Sequence, residues 1–508
     1  MKPYPWWTPE HVEFQKNLAA FLDQYVEREA KTRWTREFPF DIYKAIGEAG
    51  FTGAAIGKEY GGLGLGCTGS VILADELWTR FPGIGRIVVG NMNGGLMQLV
   101  EYGTEEQKKR LLPDIVKGET GAVAITETTA GTDAAGMTLK AVKDGEYYVL
   151  NGKKRFIVAA GVADRYFIYA VTDDSPEAHK RHKHLTAFLL KKGTPGFTCE
   201  KINEILGFEN VQNGSLDLKD VKIHEMDRIG EEGDGWKILM GGLNFERTNI
   251  AGTMVGLHRG LIRYVVDYPS RRVQFGKPTI DIPAVQDKIA NIVMRTKILR
   301  DSVYATACRF DNGEDITIDA SAVKGLAAEL ALQSANDATQ IMAGDGINRF
   351  YPIQNLFELA KADHIAGGTV EACKLVVFRM AVKKMSEDTK MPRRVLDPEL
   401  RVPVPTFKPV EKKEACTPEN LLNLLAENYL INPGLHMTPE DIEVYLEGDV
   451  QAAIKALVEA GDAHIVANRK TGEATLVAAT YPGLEKAKDK EYYRWFPDYV
   501  ANDDRRHF

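Results

Sequence analysis

The segment Leu243-Asn244-Phe245-Glu246-Arg247 decides the interpretation of this chain, because it places a carboxylate within the apolar stripe of a long helix. The pattern predicts that this helix runs from Trp236 to Tyr268. Apolar residues recur along it at intervals of three and four, which is typical of a helix face that packs against a core. The residues of this stripe are Leu239, Leu243, Ile250, Met254, Leu257 and Leu261.

Glu246 lies on the same face as the apolar stripe. Burying a carboxylate without a partner is costly unless its pKa rises and it holds a proton. Two interpretations stay open at this point, a buried ion pair and a catalytic base. The helix also carries Gly252, Gly256 and Gly260, each costing about 1 kcal/mol relative to alanine. We therefore expect a flat group or another backbone to approach this helix closely.

Composition limits the function classes. The 508 residues are 44% apolar and 27% charged, as in an ordinary globular protein of three or four domains. A net charge of −7 and a pI of about 5.9 argue against an extended nucleic-acid surface. No apolar run approaches a membrane span, and no signal-peptide pattern is present, so we expect a cytoplasmic protein. The five cysteines form no CxxC pair and are expected as free thiols.

Hydrophobic periodicity predicts an α+β fold in five segments. Residues 1–118 are helical, residues 119–232 form a β-domain and residues 233–388 form a helical bundle. Residues 389–415 are a proline-rich linker, and residues 416–508, with three helices and a hairpin, form a winged-helix-like extension. The helices predicted after the first one, which Thr8 caps, are 40–49, 69–79, 91–102 and 104–117. The predicted strands are 122–126, 147–150, 166–171, 185–190 and 215–223.

Three further signals favour structural explanations. Gly64–Gly69 matches GxGxxG, but the residues before it predict a turn where a dinucleotide fold requires a strand. His179, His182 and His184 alternate with cations, which favours a solvated hairpin tip over a metal site, so we predict no metal. Residues 401–508 carry a net charge of −5, which favours a structural or protein-contact role of the extension over DNA binding.

Five motifs together resemble the acyl-CoA dehydrogenase family. They occur in order between residues 1 and about 388, so the resemblance is specific although no single motif would be. The motifs are Ala124-Ile125-Thr126-Glu127 with Ala130-Gly131-Thr132-Asp133, then Asn151-Gly152-Lys153-Lys154, Arg272-Val273-Gln274-Phe275-Gly276-Lys277, Gln340-Ile341-Met342-Ala343-Gly344-Asp345-Gly346, and Gly367-Gly368-Thr369.

The resemblance implies an FAD enzyme that oxidises an acyl-CoA thioester to its enoyl-CoA. It also implies a homotetramer or homodimer and an electron-transfer flavoprotein as the electron acceptor. Many family members place the catalytic base in a Tyr-Glu-Gly-Thr sequence, which here reads Ala366-Gly367-Gly368-Thr369. A minority, including isovaleryl-CoA dehydrogenases, place the glutamate before the arginine of the long helix. Glu246 precedes Arg247 at that place, so the resemblance implies that Glu246 is the base.

The resemblance assigns the remaining site residues. Val123 to Thr126 are expected along the flavin ring, Thr132 near the phosphates or the thioester, and Arg247 at the substrate end. The implied cofactor-binding residues are Val123, Ile125, Thr126, Gly131, Thr132, Phe156, Val158, Arg272, Phe275, Gln340, Gly344 and Thr369. The implied substrate-binding residues are Thr132, Arg247, Ala366 and Gly367.

Two departures from the family pattern shape the expected chemistry. Phe156-Ile157-Val158 replaces a common Trp-Ile-Thr, so a hydroxyl expected near flavin N5 is missing. Ala366 and Gly367 replace large side chains, which predicts a branched, cyclic or aryl-bearing acyl group. The alternatives are a flavin oxidase or monooxygenase of the same fold, or a non-catalytic binding protein that uses the C-terminal extension.

Overall fold

The computed structural model describes residues 3–91, 95–208, 210–388, 413–431, 436–468 and 471–487. The chain divides into two units, Met1–Met385 and Ser386–Phe508. Nearly all of the predicted linker, residues 389–412, lies outside the described residues. Within the described ranges, no helix has both the length and the apolar character that crossing a bilayer requires.

The first part of the larger unit is helical, as predicted. Its helices are α1 (Pro9–Asp23), α2 (Val26–Thr35), α3 (Phe40–Glu48), α4 (Gly66–Arg80), α5 (Pro82–Asn91), α6 (Met97–Tyr102) and α7 (Glu105–Val116). The Thr8 hydroxyl accepts a hydrogen bond from the His11 amide and caps α1. The GxGxxG segment leads into α4 from a single 3-10 turn at Lys58–Tyr60, so it lacks the preceding strand of a dinucleotide fold.

An eight-stranded sheet follows these helices. Its strands are β1 (Gly121–Ala124), β2 (Lys140–Asp144), β3 (Tyr147–Val158), β4 (Arg165–Val171), β5 (Leu185–Lys191), β6 (Phe197–Ile202), β7 (Asn213–His224) and β8 (Arg228–Ile229). The order across the sheet is β6-β7-β3-β2-β4-β5-β8, and β1 pairs with β4 in parallel. This arrangement confirms the predicted β-domain and brings the end of β1 beside the sheet's central strands.

The segment with three histidines joins the antiparallel strands β4 and β5, as the predicted hairpin requires, and His182 is exposed, but His184 is a correction. A short helix, α8 (Pro176–Lys180), precedes β5, and His184 is buried with its Nε2 2.8 Å from the Ala135 carbonyl oxygen. Its ring stacks on that of His179, and the ring of His182 stacks on Trp236. The prediction was wrong for His184 because alternation with cations describes the local chain only, whereas the burial of this residue comes from a loop 49 residues earlier.

The C-terminal part of the larger unit is a helical bundle around α9 (Gly235–Arg271). Its other elements are the hairpin β9 (Val273–Gln274) and β10 (Lys277–Pro278), followed by α10 (Pro283–Asp311), α11 (Thr317–Met342), α12 (Pro352–Asp363) and α13 (Val370–Asp388). The glycines of α9 accommodate α4, because a Cβ at Gly256 would lie 2.4 Å from the Asp75 carbonyl oxygen. The expected close approach to α9 is therefore that of a neighbouring helix backbone.

The smaller unit has a core of its own. Its strands are β11 (Glu414–Ala415), β12 (Leu446–Glu447), β13 (Ala463–Ala467) and β14 (Ala474–Ala479), and its helices are α14 (Pro418–Ile431), α15 (Pro439–Tyr445), α16 (Val450–Glu459) and α17 (Tyr481–Lys486). Side chains of α14, α15, α16 and β14 contribute to this core, with Leu421, Ile442 and Val477 fully buried. The three helices and the hairpin agree with the sequence prediction, whereas α17 was not predicted.

Candidate active site

Glu246 lies on α9 where that helix faces the turn between α12 and α13. A Cβ built on Gly367 of this turn would lie 3.6 Å from Oε1 of Glu246. Among the described residues, the Glu246 carboxylate has no hydrogen bond and no ion pair within 4.0 Å. The buried ion pair left open by the sequence is therefore absent in the described part of the chain.

The electrostatic surroundings give Glu246 an unusual pKa. Loss of hydration raises the pKa of Glu246 from 4.5 to about 7, although the positive charges of Arg247, Lys324 and Arg86 act against this rise. A carboxyl group with a pKa close to neutrality can hold and release a proton at physiological pH. This is the behaviour expected of a general base.

Arg247 follows Glu246 on α9 and is buried. Its Nη1 donates a hydrogen bond to the Ser321 hydroxyl at 3.1 Å, which ties α9 to α11. Its Nε has no hydrogen-bond partner among the described residues. A buried guanidinium N–H without an acceptor is costly, so it favours a site that receives a polar group from a ligand.

The turn facing Glu246 consists of small residues. Gly367 and Gly368 both have positive φ, 66° and 87°, which L-residues with side chains adopt at a cost. Lys324 on α11 donates a hydrogen bond from Nζ to the Gly368 carbonyl oxygen at 2.5 Å. The Thr369 hydroxyl accepts from the Ala372 amide and caps α13, so in this chain it already has a structural role.

The β-domain side of the site is held by a buried ion pair. Lys154 of β3 donates to Glu127 at 2.8 Å and to the Ile125 carbonyl oxygen at 3.1 Å. Burial lowers the pKa of Lys154 to about 8, and the charge of Glu127 acts against this shift. Thr138 donates from both its amide and its hydroxyl to the second carboxylate oxygen at 2.7 Å. The ion pair thus fixes the loop that leaves β1.

The residues expected along a flavin ring fit such a group. In β1 the even residues are buried, whereas Val123 and, beyond it, Ile125 and Thr126 keep partial exposure. The Thr126 carbonyl accepts from the Arg155 amide, but its hydroxyl has no partner among the described residues and is free to bind a ligand. This donor and the partly exposed apolar side chains fit the pyrimidine side of a flavin. Gly131 and Thr132 are exposed in the same loop.

A β-bulge sets the direction of Phe156. The β3–β7 register shifts between Lys154 and Ile157, and Phe156 adopts φ of 58° with its ring 48% exposed under the Arg155 guanidinium. Bulges commonly redirect a side chain beside a functional site. Val158, which ends β3, is partly buried and offers no hydroxyl.

The four residues expected to meet the adenosine half of FAD lie on the surface. Phe275 is 94% exposed, and Arg272, Gln340 and Gly344 are also exposed. Exposed aromatic surface of this kind often marks a contact site. A single chain leaves these four residues facing solvent, as expected if a neighbouring subunit completes their site.

The structure also identifies polar groups that the sequence analysis missed. Arg86 of α5 forms a buried ion pair with Asp363, and its guanidinium lies 5.1 Å from the Trp78 ring. The Tyr169 hydroxyl is buried without a partner among the described residues, and both burial and the charge of Glu246 raise its pKa. Only Lys324 left a usable signal in the sequence, as a lysine among the alanines of α11. Arg86 and Tyr169 are brought to the site by tertiary contacts that no local pattern shows.

Comparisons with known proteins identify the family of this chain. Models of the N-terminal, middle and C-terminal domains of acyl-CoA dehydrogenases match residues 8–119, 122–221 and 233–381. An acyl-CoA dehydrogenase of Bacillus subtilis (strain 168) is 32% identical over 374 residues, which cover 73% of this chain and 98% of that protein. The mitochondrial isovaleryl-CoA dehydrogenase of Pongo abelii is 32% identical over 378 residues, 73% of this chain and 88% of that protein.

A solved structure supports the same assignment. Butyryl-CoA dehydrogenase from Megasphaera elsdenii superposes with a TM-score of 0.72 at 31% identity, covering 75% of this chain and 100% of that one. The chain therefore belongs to the acyl-CoA dehydrogenase family, FAD-dependent oxidoreductases that act on the CH–CH bond of acyl-CoA thioesters.

Proposed function

We propose that this enzyme oxidises a branched, cyclic or aryl-bearing acyl-CoA and that Glu246 removes the proton from Cα. The observation that carries the proposal is the Glu246 carboxyl group, which has no ion pair among the described residues and lies beside the Gly367 turn. A base on α9 compensates for the missing glutamate at residue 367.

The proton transfer depends on the ionisation of Glu246. A general base works best when its pKa lies near the operating pH, and burial raises the pKa of Glu246 to about 7. When bound, FAD supplies the acceptor for the hydride that leaves Cβ. The ionised carboxylate takes the Cα proton, and the neighbouring cations Arg247 and Lys324 favour its charged form before the reaction.

The proposed acyl group follows from the small side chains opposite Glu246. Ala366 and Gly367 are partly buried, and neither has atoms beyond Cβ. Ile250 of α9 limits the space on one side, because a Cβ on Gly367 would lie 2.2 Å from its Cδ1. Large side chains at these two residues would narrow the turn side of the site, so their absence supports a branch or ring near Cα and Cβ.

Anaerobic titration of the purified flavoprotein with a panel of acyl-CoAs tests the reaction and its substrate together. Isovaleryl-, cyclohexanecarboxyl- and 3-phenylpropionyl-CoA are expected to bleach the flavin faster than butyryl- or octanoyl-CoA. The Glu246→Gln variant should bind the same esters without bleaching on that timescale. A clear preference for the straight chains would contradict the proposed acyl class, and full activity of Glu246→Gln would contradict the proposed base.

We also propose an electron-transfer flavoprotein as acceptor and a homotetramer or homodimer as the working assembly. The proposal for the assembly is supported by the exposed hairpin around Phe275 and by the exposed Arg272, Gln340 and Gly344. None of the five cysteines, all of which lie in described ranges, forms a disulfide, which fits the cytoplasmic location that we propose. Light scattering of the holoenzyme and reduction of added electron-transfer flavoprotein test the first two points, and a monomer would contradict the assembly.

A flavin oxidase or monooxygenase is the second candidate function. Val158 favours it, because a residue without a hydroxyl stands where the family commonly has a threonine near flavin N5. Oxygen consumption during turnover separates the two functions. Stoichiometric oxygen uptake with acyl-CoA would favour the oxidase, and flavin reduction with little oxygen uptake favours the dehydrogenase.

A further inference from the structure

Lys324 is a buried lysine that forms no ion pair with any carboxylate in the described ranges. It lies on α11 among small residues, with its side chain fully buried, and no described carboxylate lies within 4.0 Å of its Nζ. The only hydrogen bond from its Nζ in the described part of the chain goes to the Gly368 carbonyl oxygen at 2.5 Å. Burying a lysine in this way is costly, so its retention favours a specific role.

We infer that Lys324 is a positioning residue, which fixes the Gly367–Thr369 turn beside Glu246 and directs a positive charge toward the Glu246 carboxylate. The inference rests on the proposed role of Glu246 as base. Lys324 does not contact the reacting atoms in this scheme, because its ammonium group is bonded to the turn.

The hydrogen bond to Gly368 restrains the turn that faces the base. Gly367 and Gly368 both adopt positive φ. Glycine populates many other backbone conformations as readily, so by itself it would not hold this one. The Gly368 carbonyl is bonded to Lys324 from α11 and approached by the Cys373 thiol from α13 at 3.9 Å. The lysine thus ties the turn to α11, and a Cβ built on Gly367 of this turn would lie 3.6 Å from Oε1 of Glu246.

The charge of Lys324 is one of three positive charges that face Glu246. Arg247 comes from α9 itself, Lys324 from α11 and Arg86 from α5, while Tyr169 of β4 faces the carboxylate as a neutral phenol. Arg86 is already paired with a buried aspartate, Asp363, so its charge is largely compensated. Arg247 and Lys324 have no such partner among the described carboxylates. These two cations therefore do most to favour the ionised form of the base.

The pKa of Lys324 reflects its burial and the charged groups that face it from other elements. Burial has the largest effect and lowers the pKa of Lys324, and the charge of Arg247 adds to this effect. Cys373 of α13, Asp363 of α12 and Glu246 of α9 act against it and favour the charged form. Asp363 and Glu246 are carboxyl groups on other helices, and both lose a nearby positive charge when the lysine is replaced. The pKa of Glu246 is then expected to rise, because its ionised form loses a nearby cation.

The pH profile of kcat/KM tests this inference. In Lys324→Met the limb at acid pH, which reports the protonation of the base, should move to higher pH by about one unit. At pH values below the shifted limb, kcat/KM of the variant should be about tenfold lower than that of the wild type. At alkaline pH the two values should converge. Lys324→Arg, which keeps the charge, should retain a limb close to that of the wild type.

Lys374→Met is the matched control. Lys374 also joins α13 to α11, through an ion pair with Glu329, but its side chain is 62% exposed. Its loss should leave the acid limb unchanged, because exposed ion pairs contribute little. An unmoved acid limb in Lys324→Met, or an equal shift in Lys374→Met, would overturn the inference.

A second readout does not depend on turnover. Difference infrared spectroscopy of the holoenzyme across pH should show the protonated carboxyl band of Glu246, identified by its absence in Glu246→Gln. This band should persist to higher pH in Lys324→Met. If Lys324→Met does not fold, Lys324→Gln is measured by the pH profile and by infrared spectroscopy. The same shift to higher pH is expected, and no shift in Lys324→Gln would refute the inference.

The two proposals can fail separately. If Glu246→Gln keeps its activity and its acid limb, the base lies elsewhere and the proposed function fails regardless of Lys324. If Glu246→Gln is inactive but the acid limb and the carboxyl band stay unmoved in Lys324→Met, only the role of Lys324 fails.

Discussion

Replacing Glu246 with glutamine is expected to make the protein more stable while it removes activity. The carboxyl group in the folded protein has a pKa of about 7, raised by burial from 4.5. Below pH 4.5 the carboxyl is protonated in both the folded and the unfolded chain. Between these values the unfolded chain loses the proton first, so stability falls as pH rises.

The size of this effect follows from the pKa difference. A shift from 4.5 to about 7 corresponds to about 3 kcal/mol of folding free energy. This value is an upper limit, because the Glu246 residue is only partly buried and solvent screens part of the charge. Glutamine never ionises and avoids this cost. The stability difference between variant and wild type should therefore grow from near zero at pH 4.5 to its full size above pH 7.

Thermal and denaturant unfolding of the two holoenzymes at matched pH and flavin content measures this difference. Glu13→Gln is the control, because Glu13 is exposed on α1 and has no ion pair with a described residue, so its variant should differ little from the wild type at any pH. The rate of flavin reduction should fall by about 10² to 10⁴ in Glu246→Gln, the usual range for an acid–base group. A stability difference that does not depend on pH would refute the reasoning.

Three other variants probe the site and its supports. Gly367→Ala should lower kcat/KM several-fold for every acyl-CoA, since its Cβ would lie 2.2 Å from an isoleucine of α9, whereas Gly145→Ala, also at positive φ but in open space, should change stability alone. Lys154→Met should lower the free energy of unfolding by about 3 to 5 kcal/mol and weaken FAD retention, because a buried glutamate loses its partner. The control is Lys153→Met: the Lys153 side chain is 60% exposed, so its loss should lower the free energy of unfolding in denaturant by under about 1 kcal/mol. Phe275→Ser should leave the melting temperature of the apoprotein nearly unchanged but speed FAD loss on dilution, and unchanged FAD retention would contradict its role.

The order of the segments and the unusual carboxylate could be predicted from the sequence. Helical periodicity placed Glu246 on the inner face of α9. The absence of a glutamate at residue 367 then indicated that Glu246 is the candidate base. Alternation likewise placed the strands, with β3 extending eight residues beyond the predicted end at Leu150. These features could be read because they depend on the chemistry of neighbours along the chain.

Other features depended on how distant segments meet. No local pattern relates Arg86 to Asp363, which lie 277 residues apart, or Lys324 to the Gly368 carbonyl. His184, whose neighbours are charged, is buried because a loop from another part of the β-domain covers it.

The sequence alone therefore determined the classes of its elements, the face on which Glu246 stands and the family to which its motifs are similar. Only the tertiary structure decided that this carboxylate has no ion pair among the described residues, and which cations surround it. The physical reason is that hydrophobic periodicity depends on residues within a few positions of one another. Hydration and charge at Glu246 instead depend on side chains that α5, α11 and the turn after α12 bring to it from far along the chain.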